Sequence, residues 1–137
     1  MKTGRFNAGV GLIVMALFML YGFLMIYLRD FAPDREAWVA SYSVGKHFEA
    51  RLAHVHGNLF ALLNLALAFV LVRLTSASDR GRTAVAALGL AGLLMPAGIL
   101  GEVYLGLSPL FVLIGAVAMT ASVFLAGVLS LRHWREA

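Results

Sequence analysis

The chain has 137 residues, of which 61% are hydrophobic and only 13% charged, and it contains no cysteine. A soluble domain of this length carries about twice that share of charge, so the composition points away from soluble enzymes and nucleic-acid-binding domains and toward the lipid bilayer. Without cysteine there are no disulfides or thiolate metal sites, and the net charge of +4 reflects basic loops beside anionic lipid rather than a surface for nucleic acid.

Four apolar stretches reach the roughly 20 residues that a bilayer span needs. The first, Ala8–Leu28, follows Lys2 and Arg5. It is too long for the core of a signal peptide, and no small-x-small site closes it, so it is expected to be retained. The connection after it, "RDFAPDREAWVASYSVGKHFEAR", is the only long one. Pro33 fits a turn there, and Trp38 and Tyr42 suit the membrane interface. A short helix lying on the membrane is expected from about Glu36.

The second span, Leu52–Val72, starts with a polar head, "RLAHVHGN". The loop "RLTSASDRGR" then offers Ser78 or Asp79 to cap the third span, Ala84–Val103. Pro96 lies mid-span and frees the carbonyl of Gly92, which predicts a kink. "GLSP" makes a tight turn into Leu110–Leu131, where Ala118, Ser122, Ala126 and Ser130 recur at a spacing that lets helix backbones approach closely. The expected fold is all-α: a polytopic membrane protein with a single domain over 1–137, built as a four-transmembrane-helix antiparallel bundle.

Basic residues in short loops set orientation. Lys2, Arg5, Arg73, Arg80, Arg82, Arg132 and Arg135 all fall on one side. On the other, Arg29, Arg35, Lys46 and Arg51 are offset by Asp30, Asp34, Glu36 and Glu49. Both termini are therefore expected in the cytoplasm, with the chain integral to a bacterial inner membrane.

The head of the second span carries the chemistry. On a helical wheel His47, Arg51, His54 and Asn58 share a stripe, while His56 points to almost the opposite face. The two histidines of "HVH" therefore cannot hold one ion from a regular helix, and no H-x-x-x-H pair replaces them. Glu102 and Tyr104, at the end of span three, reach the same level and complete a polar layer near the non-cytoplasmic face. Histidines so near an interface also bond simply to water or a neighbouring helix, and position alone leaves both readings open for His54. Asn64 lies deeper, where an interhelical hydrogen bond is the plain reading.

Among cofactors, a haem suits this pattern: one neutral histidine can hold its iron, and an apolar bundle can bury its macrocycle. Spans one, three and four offer no second histidine at that depth. An iron held by one protein ligand, with an open position for Lewis-acid chemistry or small-ligand binding, is the expectation.

Several short motifs recur in a known family. "AH" at Ala53–His54 is followed by "AFVL" at Ala68–Leu71, "TA" at Thr83–Ala84, and "YL…SP" from Tyr104 to Pro109. In these motifs and in the order of its spans the chain resembles the styrene-oxide isomerases, small four-span membrane proteins that rearrange aryl epoxides to aldehydes. The resemblance implies a trimer binding haem b at subunit interfaces, with ferric iron as Lewis acid on the epoxide oxygen. His54 takes the place of the haem-ligating histidine and Tyr104 that of a substrate-pocket tyrosine. The family's asparagine falls on Phe60; Asn64, one turn further, could approach the same face. The longer polar segment before the family's fourth span is missing.

Three functions follow as expectations. The first is a homo-oligomeric, haem-binding epoxide isomerase acting on a small apolar substrate. In it His54 ligates iron with Asn58 beside it, and Tyr104 and Asn64 orient the substrate. The second is a gas-binding or electron-transfer haem subunit, since His54 and Asn58 as "H-x-x-x-N" are similar to a haem-bearing helix of respiratory oxidases. The third is a cofactor-free scaffold.

Overall fold

A computed structural model of the chain describes residues 3–133. Lys2 and Arg135, used above for orientation, lie outside the described residues. Six helices follow in order: α1 (Thr3–Asp30), α2 (Arg35–Ala40), α3 (Gly45–Arg73), α4 (Asp79–Gly92), α5 (Leu94–Leu105) and α6 (Leu110–His133). No strand occurs among the described residues.

Counted as membrane spans there are four, because α4 and α5 form one interrupted span over Asp79–Leu105. Each is long and apolar enough to cross a bilayer, and the chain is an all-α integral membrane protein. The interruption falls where Pro96 predicts it. Proline has no N–H to give the Gly92 carbonyl, so α4 ends at Gly92, the Leu93 amide turns tightly onto the Leu90 carbonyl (3.1 Å), and α5 restarts at Leu94.

The other ends obey local chemistry too. The Gly81 amide donates to Ser78 Oγ (3.2 Å), so Ser78 is the cap that starts α4. The turn after α5 uses Gly106 in the left-handed region (φ 66°), and the amides of Gly106 and Leu107 return to the carbonyls of Glu102 and Gly101. That reversal lays α6 antiparallel against α5. The helix expected from about Glu36 is α2, of six residues.

Packing runs through small residues. α1 lies along α3, α4 packs on α6, and α5 sits against both α3 and α6. At Gly115 of α6 a Cβ would run into the backbone of Met95, so only glycine permits the approach of α5. Ala118, Ser122 and Ala126 are buried on the same helix, and Ser122 Oγ donates to the Val85 carbonyl (2.7 Å). The largest apolar cluster joins Phe60, Leu67 and Leu71 of α3 with Val85 of α4 and Met119 of α6.

A second fastener is polar. Asn7 Nδ2 donates to Asn64 Oδ1 (2.8 Å) and to the Ala86 carbonyl (3.0 Å), while Asn64 Nδ2 donates to the Phe60 and Gly89 carbonyls (3.0 and 2.9 Å). Both asparagines are fully buried, so these bonds tie α1, α3 and α4 where no water competes. α1 needs the tie. The core of its span is only 11% buried, against 39% for the second and third spans, leaving Leu12, Leu17 and Phe23 on the outer surface.

Candidate functional site

The polar head of α3 divides its residues between two tasks. His47 and Arg51 hold α2. Ser41 Oγ and His47 Nδ1 lie 2.7 Å apart, and the Trp38 ring sits 5.1 Å from the rings of both His47 and Tyr42. The Arg51 guanidinium stacks 3.7 Å above the Tyr42 ring and donates to the Tyr42 carbonyl (3.3 Å). The interfacial aromatics of the long connection thus fold down as a roof over the end of the α1–α3 pair.

Below that roof lies a half-open cavity of about 350 Å³, a size ordinary for small ligands and cofactors. Its walls come from two facing stripes at helical spacing, with Gly22, Met25, Ile26 and Arg29 on α1 and Phe48, Arg51, Leu52 and Val55 on α3. Arg29, paired in two contacts with Asp30 (2.9 and 2.7 Å), and Arg51 stand toward its outer end.

His54 also lines the cavity. Its half-buried ring lies against α1 at Gly22, where a Cβ would come within 2.7 Å of Cε1 and 3.3 Å of Nε2. Glycine at this position leaves the imidazole its space. Asn58 Nδ2 donates to the His54 carbonyl (2.9 Å) and only grazes Nδ1, at 3.5 Å. Nε2 has no hydrogen-bond partner among the described residues.

His56 goes elsewhere, as the helical wheel requires. Its Nδ1 lies 2.8 Å from the Leu52 carbonyl, to which it donates, and its ring meets Phe60 edge-on. Glu102 is half-buried on α5 and makes no ion pair among the described residues. No group of three or more histidine, cysteine, aspartate or glutamate side chains converges among the described residues.

Tyr104 is 62% exposed, and its hydroxyl shares a 2.8 Å hydrogen bond with that of Tyr21 on α1. The Tyr21 ring lies 6.3 Å from that of His54, so one tyrosine links the two positions singled out in the sequence. Asn64 does not join them. It lies ten residues along α3 from His54, about 15 Å, with its carboxamide taken up by Asn7 and two backbone carbonyls.

Sequence reasoning passed over Tyr21, Gly22 and Asn7. A tyrosine or an asparagine inside an otherwise apolar first span is a readable signal; the need for glycine beside a ring of another helix is not. No protein-family model matches the chain, and no curated protein or solved structure matches it either. The functional reading therefore rests on the residues of the site.

Proposed function

We propose that the chain is a haem b-binding integral membrane protein in which His54 would hold the iron, and that it rearranges small aryl epoxides to aldehydes. The observation that carries the haem is the His54 imidazole at the cavity wall, with Nε2 left without a partner among the described residues, beside the apolar side chains of Met25, Ile26, Leu52 and Val55.

The donor set fits. A bare metal ion needs three or four protein donors, and this site has one imidazole. A metal already held by the four nitrogens of a macrocycle needs only that one. Met25, Ile26, Leu52 and Val55 offer apolar contact for a flat ring, and Arg29 and Arg51 offer partners for its carboxylates. When bound, the group supplies an iron with Lewis acidity and an open coordination position. Neither His47 nor His56 lines this cavity, so His54 is the one imidazole at its wall among the described residues, which favours an open iron over an electron-transfer centre.

The chain's own residues do the remaining work. Gly22 leaves room for His54, and Asn58 braces the backbone beneath it. The apolar side chains of Met25, Ile26, Leu52 and Val55 favour a small apolar substrate. The Tyr21–Tyr104 bond holds one phenolic proton in place and leaves the other free to donate to a substrate oxygen. Rearrangement of an epoxide to an aldehyde involves no net redox change and needs no electron partner. The resemblance to styrene-oxide isomerases supports this class, and with it a homo-oligomer, namely a trimer. The arginine-rich end of the bundle supports a bacterial inner-membrane protein with both termini in the cytoplasm.

An absorption spectrum of protein expressed with added haem tests the ligand. The Soret band is expected in the wild type and His56→Ala and is expected to vanish in His54→Ala. Loss in His56→Ala alone, or no band in any of them, overturns the assignment. Haem-loaded protein that forms no aldehyde from aryl epoxides removes the isomerase while leaving the haem.

A further inference from the structure

We propose that Arg82, at the arginine-rich end of the bundle, binds the phosphate of an anionic lipid headgroup. The start of α1, the end of α3, the start of α4 and the end of α6 meet there. Gly4 packs on the Ala68 carbonyl and Gly81 on Leu129, which brings these ends to one level. They carry Arg5, Arg73, Arg80, Arg82 and Arg132, against a single acid, Asp79, among the described residues. Four of the five arginines are exposed. Hydrated arginines at a bilayer edge attract anionic lipid diffusely and do not by themselves make a site.

Arg82 differs from them. It continues the buried stripe of α4, with Val85, Ala86 and Gly89 following at i+3, i+4 and i+7. Its side chain is only 12% exposed, and its Nε is fully covered with no hydrogen-bond partner among the described residues. The one nearby counter-ion among the described residues is Asp79, whose carboxylate is 3.7 Å from Nη1 and itself 99% exposed, a contact too long for a hydrogen bond and screened by solvent. An arginine that merely snorkels buries its stem and keeps its head wet. Here a nitrogen of the head is buried as well.

A covered guanidinium needs acceptors held close to it. Its planar fork of donors matches the paired oxygens of a phosphate. Phosphate is what the surroundings offer, because helices that cross a bilayer end at the level of its headgroups. The same end exposes Phe6 of α1 and Phe69 and Val72 of α3, apolar surface suited to acyl chains. None of this depends on the haem reading, since the site lies at the opposite end of the bundle from His54.

The test follows lipid retention by native mass spectrometry after the purified chain is held in phosphatidylcholine nanodiscs containing a small share of phosphatidylglycerol. The wild type is expected to retain phosphatidylglycerol preferentially. Arg82→Gln is expected to lower retention by about tenfold or more, the loss of charge-assisted hydrogen bonds. Arg80→Gln, exposed on the same turn, is expected to cost no more than the about fivefold of one hydrated surface charge. Arg82→Lys keeps the charge and the fold but lacks the fork, and is expected to fall between wild type and Arg82→Gln. Equal effects of the two glutamine variants, full retention by Arg82→Lys, or no lipid preference in the wild type overturns the proposal. Displacement of phosphatidylglycerol by millimolar inorganic phosphate overturns the lipid as the source of the anion.

Discussion

Two polar clusters interrupt this otherwise apolar bundle, and they are closed to different degrees. In the inner one, Asn7 and Asn64 bond to each other and to backbone carbonyls, leaving only Asn7 Oδ1 of the pair without a partner among the described residues. Both side chains are fully buried between three helices. In the outer one, His54 leaves its Nε2 unused among the described residues, its ring borders a cavity, and a roof of aromatics is pinned above it by contacts from His47 and Arg51. A polar residue inside an apolar helix acts as a fastener when its own chain exhausts its bonding capacity. Left open beside a cavity, it becomes a group that can bind something.

Gly22 sharpens that contrast most strongly. It offers no donor side chain, yet a methyl group there would overlap the Cε1 edge of the His54 ring. A side chain can swing away where backbone cannot, so Gly22→Ala should leave the fold intact and displace the imidazole. Haem affinity is expected to fall by about tenfold to a hundredfold, the usual cost of disturbing a group that orients a metal ligand. Haem titration followed at the Soret band, beside a thermal melt of the unloaded protein, separates the two effects. Unchanged affinity would mean that the ring's placement against α1 is irrelevant to binding.

The inner cluster should respond in the opposite sense. Asn64→Leu removes two interhelical hydrogen bonds while nearly preserving volume, and should lower stability by about 1–2 kcal/mol. Haem affinity and the Soret position should stay as in the wild type. Unfolding in mild detergent read by circular dichroism gives the first, and haem titration the second. If Asn64→Leu instead abolishes epoxide turnover with stability unchanged, the residue belongs to the reaction and the division between the clusters fails.

What could be read from the sequence follows the same division. Long apolar runs, the proline at position 96, the Ser78 cap and the small-residue ladder of α6 each act through local chemistry, and each appears where local chemistry places it. The split between His54 and His56 was equally legible, because helical geometry alone separates them. Partners on other helices were not. Nothing near Asn64 in the chain announces Asn7, 57 residues earlier, and nothing near Tyr104 announces Tyr21. Asn64 and Tyr104 share one polar vocabulary in the sequence, and only the way α1 meets α3 and α5 gives them different work.

Ser122 supplies the weakest and cleanest test of what holds the fasteners closed. Its hydroxyl donates to the Val85 carbonyl across the α4–α6 seam, while that carbonyl lies within a helix and keeps its place in the backbone ladder. Ser122→Ala therefore removes one bond and strands no backbone group, and alanine fits the same close approach. The expected loss is about 0.6 kcal/mol, a typical interhelical side-chain bond in a membrane. Ser122→Val tests the other half of the contact, since its extra bulk must enter a fully buried position; a loss of about 1–3 kcal/mol is expected. Should the alanine variant lose more than the valine variant, the seam would depend on the hydrogen bond rather than on small residues, and the ladder of Ala118, Ser122 and Ala126 would need another explanation.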